Sequence, residues 1–246
     1  MNVLDCVKRG LFYLDGGNGS VLQTRGLLPG ELTELWNIEH PREIVALHKA
    51  YYEAGSHAVC ANTFGANGLK FDGIDGRKTV CEVVTAAIGC ANVAREQAIG
   101  GQADKFIALD IGPLGRMLSP MGDLPFEDAV ALFAEIVRAG VAAGADFILI
   151  ETMNDCYETK AAVIAAKENS TLPIFVSNVY DEQARLLSGT TPDAMVAMLE
   201  GLSVDVIGLN CSLGPDQMGD IVARMERCCS LPILVKPNAG LPHEQE

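Results

Sequence analysis

Short apolar runs alternate along this chain with longer stretches of helical period. Runs at residues 12–15, 58–62, 106–110, 147–151, 174–178, 204–210 and 233–236 read as strands. The clearest helix spans residues 41–54: Pro41 opens the first turn, Ile44, Val45, His48, Tyr51 and Tyr52 follow at helical spacing, and Gly55 ends it. Residues 126–143 repeat this with Val130, Phe133, Ile136 and Val137, stopping before Gly144. Thr191-Pro192-Asp193 caps a helix that ends at Gly201, and Gly214-Pro215 opens another that runs to about Cys228. Apolar strands separated by helices imply parallel strands covered on both faces. Seven such units predict a (β/α)8 barrel or a long open doubly wound sheet. No Pro/Gly/Ser-rich linker divides the chain, so residues 1–246 are expected to form a single domain.

A weak internal repeat favours the barrel. Residues 55–63 match residues 144–152 in spacing, and the same offset recurs at 105–110, 173–178 and 205–210. Each unit has a polar residue or proline, then apolar residues, then a polar residue where the strand ends. This pattern places Asp15, Asn62, Asp110, Glu151, Asn178 and Asn210 in a polar ring at the C-terminal rim, the functional face of such barrels. At any one position the plainer reading is a strand leaving for water through a polar residue.

Charge and cysteine usage narrow the function. The chain carries 32 acidic and 18 basic side chains, a formal net charge of -14, which disfavours nucleic acid and polybasic membrane contacts. No uninterrupted apolar run reaches the roughly 18 residues of a membrane span. The N-terminal segment lacks the pattern of a signal peptide, and the eight cysteines form no regular framework. The expectation is a cytoplasmic protein with free thiols.

Two segments carry candidate chemistry. Asp15-Gly16-Gly17-Asn18-Gly19 follows the first strand; its spacing is wrong for a dinucleotide fingerprint, and it reads as a carboxylate followed by a flexible rim loop. Gly208-Leu209-Asn210-Cys211 places a thiol at a strand end, ahead of the Gly214-Pro215 helix start. A free cysteine is most often a small core residue; the alternatives here are a nucleophile or a metal ligand. None of His40, His48, His57 and His243 stands where a general base would be needed, so a Cys–His hydrolase is disfavoured. Cys228 and Cys229 precede the last strand whereas Cys211 follows one. A strand length of roughly 20 Å separates the two faces, too far to share a metal–sulfur bond of about 2.3 Å. Cys60 is read as a packing residue that could face the barrel, and Cys6, Cys81 and Cys90 as helical, while Cys156 begins the helix after Glu151.

The segments LDGGNGSVLQTRGL, ELWNIEHPREIVALHKAYYEAG, ANTFGAN, LDIGPLGRMLSPMGD, ILIETMNDCYETKAAVIAAKE, LSGTTP, IGLNCSLGP and VKPNAGLP span nearly the whole chain. In this order they resemble the homocysteine S-methyltransferase (homocysteine-binding) domain family, in its cobalamin-dependent branch. The resemblance implies a (β/α)8 barrel with a three-cysteine zinc site at its C-terminal mouth. It makes Cys211 a metal ligand and catalytic residue. It makes Asp15 and Glu151 partners of the substrate ammonium, with Asn62, Thr63 and Asn210 shaping the pocket and Asp110 and Asn238 as secondary candidates. The implied chemistry is methyl transfer to homocysteine held as a zinc thiolate, with methylcobalamin carried by another domain or protein.

The family's other two ligands come from a vicinal cysteine pair in a GGCCG segment at strand eight, which this sequence does not contain. The expectation is therefore a barrel truncated before its eighth strand, with one of three zinc ligands and unpaired strand edges. The alternative is a metal-free, noncatalytic amino-thiol-binding or assembly module. A phosphate-binding barrel is disfavoured, because no Gly-rich loop and helix follow strand seven.

Overall fold

The computed structural model describes residues 2–71 and 79–239. Six strands form one parallel sheet in chain order: β1 (Ala58–Cys60), β2 (Phe106–Ile111), β3 (Phe147–Met153), β4 (Ile174–Asn178), β5 (Val206–Asn210) and β6 (Ile233–Lys236). The sheet curls into half of a barrel with helices on its outer face. The expected first strand at 12–15 is reduced to one parallel bridge, Leu14 with Ala58, and the Tyr13 carbonyl accepts from the amides of His57 and Ala58. Among the described residues its one strand neighbour is the three-residue β1, and Gly16-Gly17 follow at once, so no continuous ladder forms there. An eighth strand does not occur among the described residues, and His243 lies outside them.

The helices before the sheet are α1 (Val3–Val7), α2 (Asn18–Thr24), α3 (Trp36–Glu39) and α4 (Pro41–Glu53). Between β1 and β2 come α5 (Gly68–Phe71) and α6 (Val80–Gln97). Each later crossover holds one helix: α7 (Phe126–Ala143), α8 (Cys156–Asn169), α9 (Pro192–Gly201) and α10 (Pro215–Glu226). Local chemistry sets their ends. Thr79 and Glu82 close a capping box on α6, and Asp155 accepts from the Tyr157 and Glu158 amides at the start of α8. At the end of α7, Gly144 takes φ 92°, a left-handed conformation that suits glycine. Among the described residues no helix is long and apolar enough to cross a membrane.

The strands sort their side chains by alternation. Val59, Ile107, Leu109, Ile148, Ile150, Ile174, Val176, Ile207 and Leu209 face the helices in the main core. Ala58, Cys60, Phe106, Ala108, Phe147, Leu149, Phe175 and Val206 face inward and form a separate cluster with Val3. Gly208 lies on the inward register, and a Cβ there would stand 2.0 Å from the Leu234 carbonyl oxygen, so only glycine lets β5 and β6 close at this level.

Candidate active site

Continuing each inward register by two residues carries it to the C-terminal rim. There Cys60 leads to Asn62, Ala108 to Asp110, Leu149 to Glu151, and Leu234 to Lys236. These residues surround a cavity of about 800 Å³ that Asp15, Asn210, Cys211 and Asn238 also line. The glycine-rich loop at 16–19 forms another wall; Asn18 donates to the Cys60 carbonyl and the Tyr51 hydroxyl to that of Gly17.

Three carboxylates meet one ammonium in this mouth. The Glu151 Oε2 accepts from Lys236 Nζ at 2.6 Å, both side chains being mostly buried. Lys236 Nζ also lies 3.7 Å from the Cys60 Sγ. The Asp15 Oδ2 accepts from the Cys60 amide at 2.9 Å, whereas its Oδ1 is buried without a partner. The Oδ1 of Asp110 is likewise buried and unpartnered. Burial lifts the Asp15 carboxyl from its ordinary 3.8 to about 6, against the attraction of Lys236. Burial pushes Asp110 up as well, and the charge of Glu151 adds to this. Lys236 is driven up despite burial, because Cys60, Glu151, Asp110 and Asp15 all favour its charged form. Burial, followed by the charge of Asp15, pushes the Cys60 thiol up, against the attraction of Lys236.

Asn210 organises the rim beside Glu151 and Lys236. Its Oδ1 accepts from the Thr152 amide at 3.0 Å and the Ser177 hydroxyl at 2.7 Å. Its Nδ2 donates to the Thr152 hydroxyl at 2.8 Å and the Cys211 Sγ at 3.1 Å. Thr152 sits at φ 62°, rare for a β-branched residue, where the β3–β4 register shifts. The Asn210 clamp holds that irregularity directly after Glu151. Cys211 and Ser212 follow β5 at φ 58° and 60°, turning the chain sharply and leaving Cys211 exposed at the rim.

The other candidates separate. The Asn62 Nδ2 donates to the Thr33 carbonyl and to Asn37 Oδ1, tying the cavity wall to α3 and to the 3-10 turn Thr33–Leu35 that leads into it. Thr63 lies behind the wall, its hydroxyl donating to the Asp110 carbonyl at 2.7 Å. The Asn238 amide donates to the Leu213 carbonyl and fixes the chain leaving β6. Asn178 does not join the polar ring. Phase is the reason: Phe175 and Ser177 take the inward positions of β4, so Asn178 faces α8 and donates to the Met153 carbonyl and the Thr159 hydroxyl. Sequence reasoning missed Lys236 and Thr152. The offset from Leu234 pointed to the first, and the repeat that sets Thr152 in the place of Thr63 pointed to the second.

Cys211 and Cys60 are the thiols that line the cavity, and Cys60 packs against Lys236. Cys228 and Cys229 follow α10, their sulfurs near the carbonyls of Met225 and Leu231, at the end of the β5–β6 pair opposite to Cys211. Among the described residues no three His, Cys, Asp or Glu side chains come together to hold a metal. These residues alone do not fit a zinc site.

A parallel α/β half-barrel with acidic side chains gathered at its C-terminal rim defines the class: a barrel-type enzyme fold with its pocket at the strand ends. The chain belongs to the homocysteine S-methyltransferase family, which matches residues 12–246. It is 28% identical to a methionine synthase of Mycobacterium tuberculosis over 252 residues, covering 98% of this chain and 21% of that protein. It thus spans about a fifth of the length of that relative. The oxidized form of the homocysteine methyltransferase MmuM from Escherichia coli has the same fold. Its TM-score is 0.82 at 24% identity, covering 94% of this chain and 83% of that one. The metallated form gives 0.81 at 24%, covering 96% and 86%.

Proposed function

We propose that the chain is a homocysteine S-methyltransferase domain that binds homocysteine at the mouth of its half-barrel for conversion to methionine. The observation that carries this reading is the pair of buried, unpartnered carboxylate oxygens, Asp15 Oδ1 and Asp110 Oδ1, on two residues that line one cavity. Buried polar atoms rarely lack partners, and an ammonium group supplies charge-assisted donors to both. Glu151, on the strand next to that of Asp110, contributes further negative charge. Asn210 fixes Cys211 at the rim, and Asn62 and Thr63 hold the wall behind the substrate. Residues 1–246 act as one domain in this reading, soluble and cytoplasmic, without nucleic acid or membrane partners.

Zinc and methylcobalamin enter this reading from the family. Cys211 is the residue through which a metal would be reached, but the described residues do not complete its ligand set, so no step is routed through it. Methylcobalamin, held by another domain or protein, is the proposed donor. The second reading is a metal-free module that binds the amino thiol without turnover, in keeping with a donor set that is incomplete among the described residues. Zinc content and methionine formation from homocysteine and methylcobalamin separate the two. One zinc per chain with turnover, both lost in Cys211→Ala, supports the enzyme. Zinc near zero and no methionine favour the module, and activity retained in Cys211→Ala would refute the role of that thiol.

A further inference from the structure

We infer that Lys236 binds the α-carboxylate of the substrate, so that this pocket recognises an amino acid as a zwitterion and rejects the corresponding amine. The inference rests on the reading of the cavity as an amino-acid thiol site and names the residue that gives it selectivity.

Among the described residues Lys236 is the one Lys, Arg or His that lines the cavity. Its ammonium has three donors. Two are directed at partners, Glu151 Oε2 at 2.6 Å and Cys60 Sγ at 3.7 Å, which leaves a third for a ligand. The side chain is held in place: Lys236 ends β6 on the same inward register as Leu234, and its carbonyl accepts from the Cys211 amide at 3.0 Å. That backbone bond ties the carboxylate-binding residue to the rim thiol, so the two ends of one small ligand are read by adjacent strand ends.

Charge fixes the orientation. Asp15, Asp110 and Glu151 put three carboxylates around the cavity, and two of them carry a buried oxygen without a partner. The ligand's ammonium goes to those oxygens. Its carboxylate would be repelled by the same groups, and a partly buried anion needs a cation or donor to replace its water. Lys236 supplies that cation. An amine that lacks the carboxylate still satisfies Asp15 and Asp110 but makes no use of Lys236.

Binding of homocysteine and of its decarboxylated counterpart, 3-aminopropane-1-thiol, to the full chain is measured by calorimetry at pH 7.5 under reducing conditions. The wild type is expected to prefer homocysteine by about tenfold or more, the scale of one charge-assisted hydrogen bond. Lys236→Met should weaken homocysteine by about tenfold or more and leave the amine thiol unchanged or tighter, and Lys236→Arg should restore the preference. Should the buried Glu151 left alone by Lys236→Met prevent folding, the double variant Lys236→Met/Glu151→Gln carries the same comparison. Equal weakening of both ligands, or a preference that survives the loss of the lysine, overturns the inference while leaving the site reading intact. No binding of either ligand by the folded wild type overturns the site reading, and the inference with it.

Discussion

Replacing Asp15 with Asn should stabilise the fold and weaken substrate binding. Asp15 lines the cavity and is buried, with Oδ2 accepting from the Cys60 amide and Oδ1 left without a partner. Burial raises its carboxyl from 3.8 to about 6. A carboxylate whose folded value lies above its unfolded value stabilises while protonated and loses that stabilisation as the pH rises through the folded value. Above pH 6 the ionised form therefore costs about 3 kcal/mol, from the gap between the two values. Asparagine carries no charge and keeps the bond from Cys60 through its carbonyl oxygen. Asp15→Asn should accordingly gain about 3 kcal/mol at pH 7.5, falling to about 1 kcal/mol at pH 4.5, read from urea unfolding at both values. Binding moves the other way. The amide nitrogen now faces the ammonium, and loss of a charge-assisted bond of about 1.5–3 kcal/mol weakens homocysteine by roughly 10- to 150-fold. In the wild type, binding near pH 6 should release protons, seen as a buffer-dependent calorimetric heat. A variant destabilised equally at both pH values, or one that binds homocysteine as before, would refute the assignment.

Two other perturbations test the frame around the site. His48 is fully buried on α4 with neither ring nitrogen partnered, and burial lowers it to about 4. Its folded value lies below the ordinary 6.5, so stability complete above pH 6.5 is lost as the pH falls toward 4. The wild type minus His48→Leu stability difference should shift by about 2.5 kcal/mol between pH 7.5 and 4.5, and an unchanged difference would show that the ring is solvated. Gly208→Ala should cost about 2 kcal/mol or more and weaken homocysteine binding, because its Cβ would meet the Leu234 carbonyl at 2.0 Å and push β6, with Lys236, away. Wild-type melting of that variant would mean the β5–β6 spacing is not tight.

Features set within a few residues were legible. Pro41 and Gly55 bracketed α4, and the interval before Gly144 matched α7 as Phe126–Ala143. Thr191 accepts from the Ala194 amide as a cap should, and Gly214-Pro215 opens α10. Five of the six polar residues expected at the rim line the cavity. Asn178 does not, because a polar residue ending an apolar run does not reveal which face it takes; a shift of one position reverses the side.

The sequence by itself determined the alternation of strands and helices, the parallel order, and the family that the motifs resemble, because apolar period, proline, glycine and capping residues act over a few positions. Only the tertiary structure decided what those residues do to one another. It reduced the first strand to a bridge, turned Asn178 outward, and clamped Thr152 through Asn210. It also brought Lys236 onto Glu151, a pair 85 positions apart in the chain. Such partners are set by the register of separate strands and by the burial of charge, and no local stretch of sequence contains either.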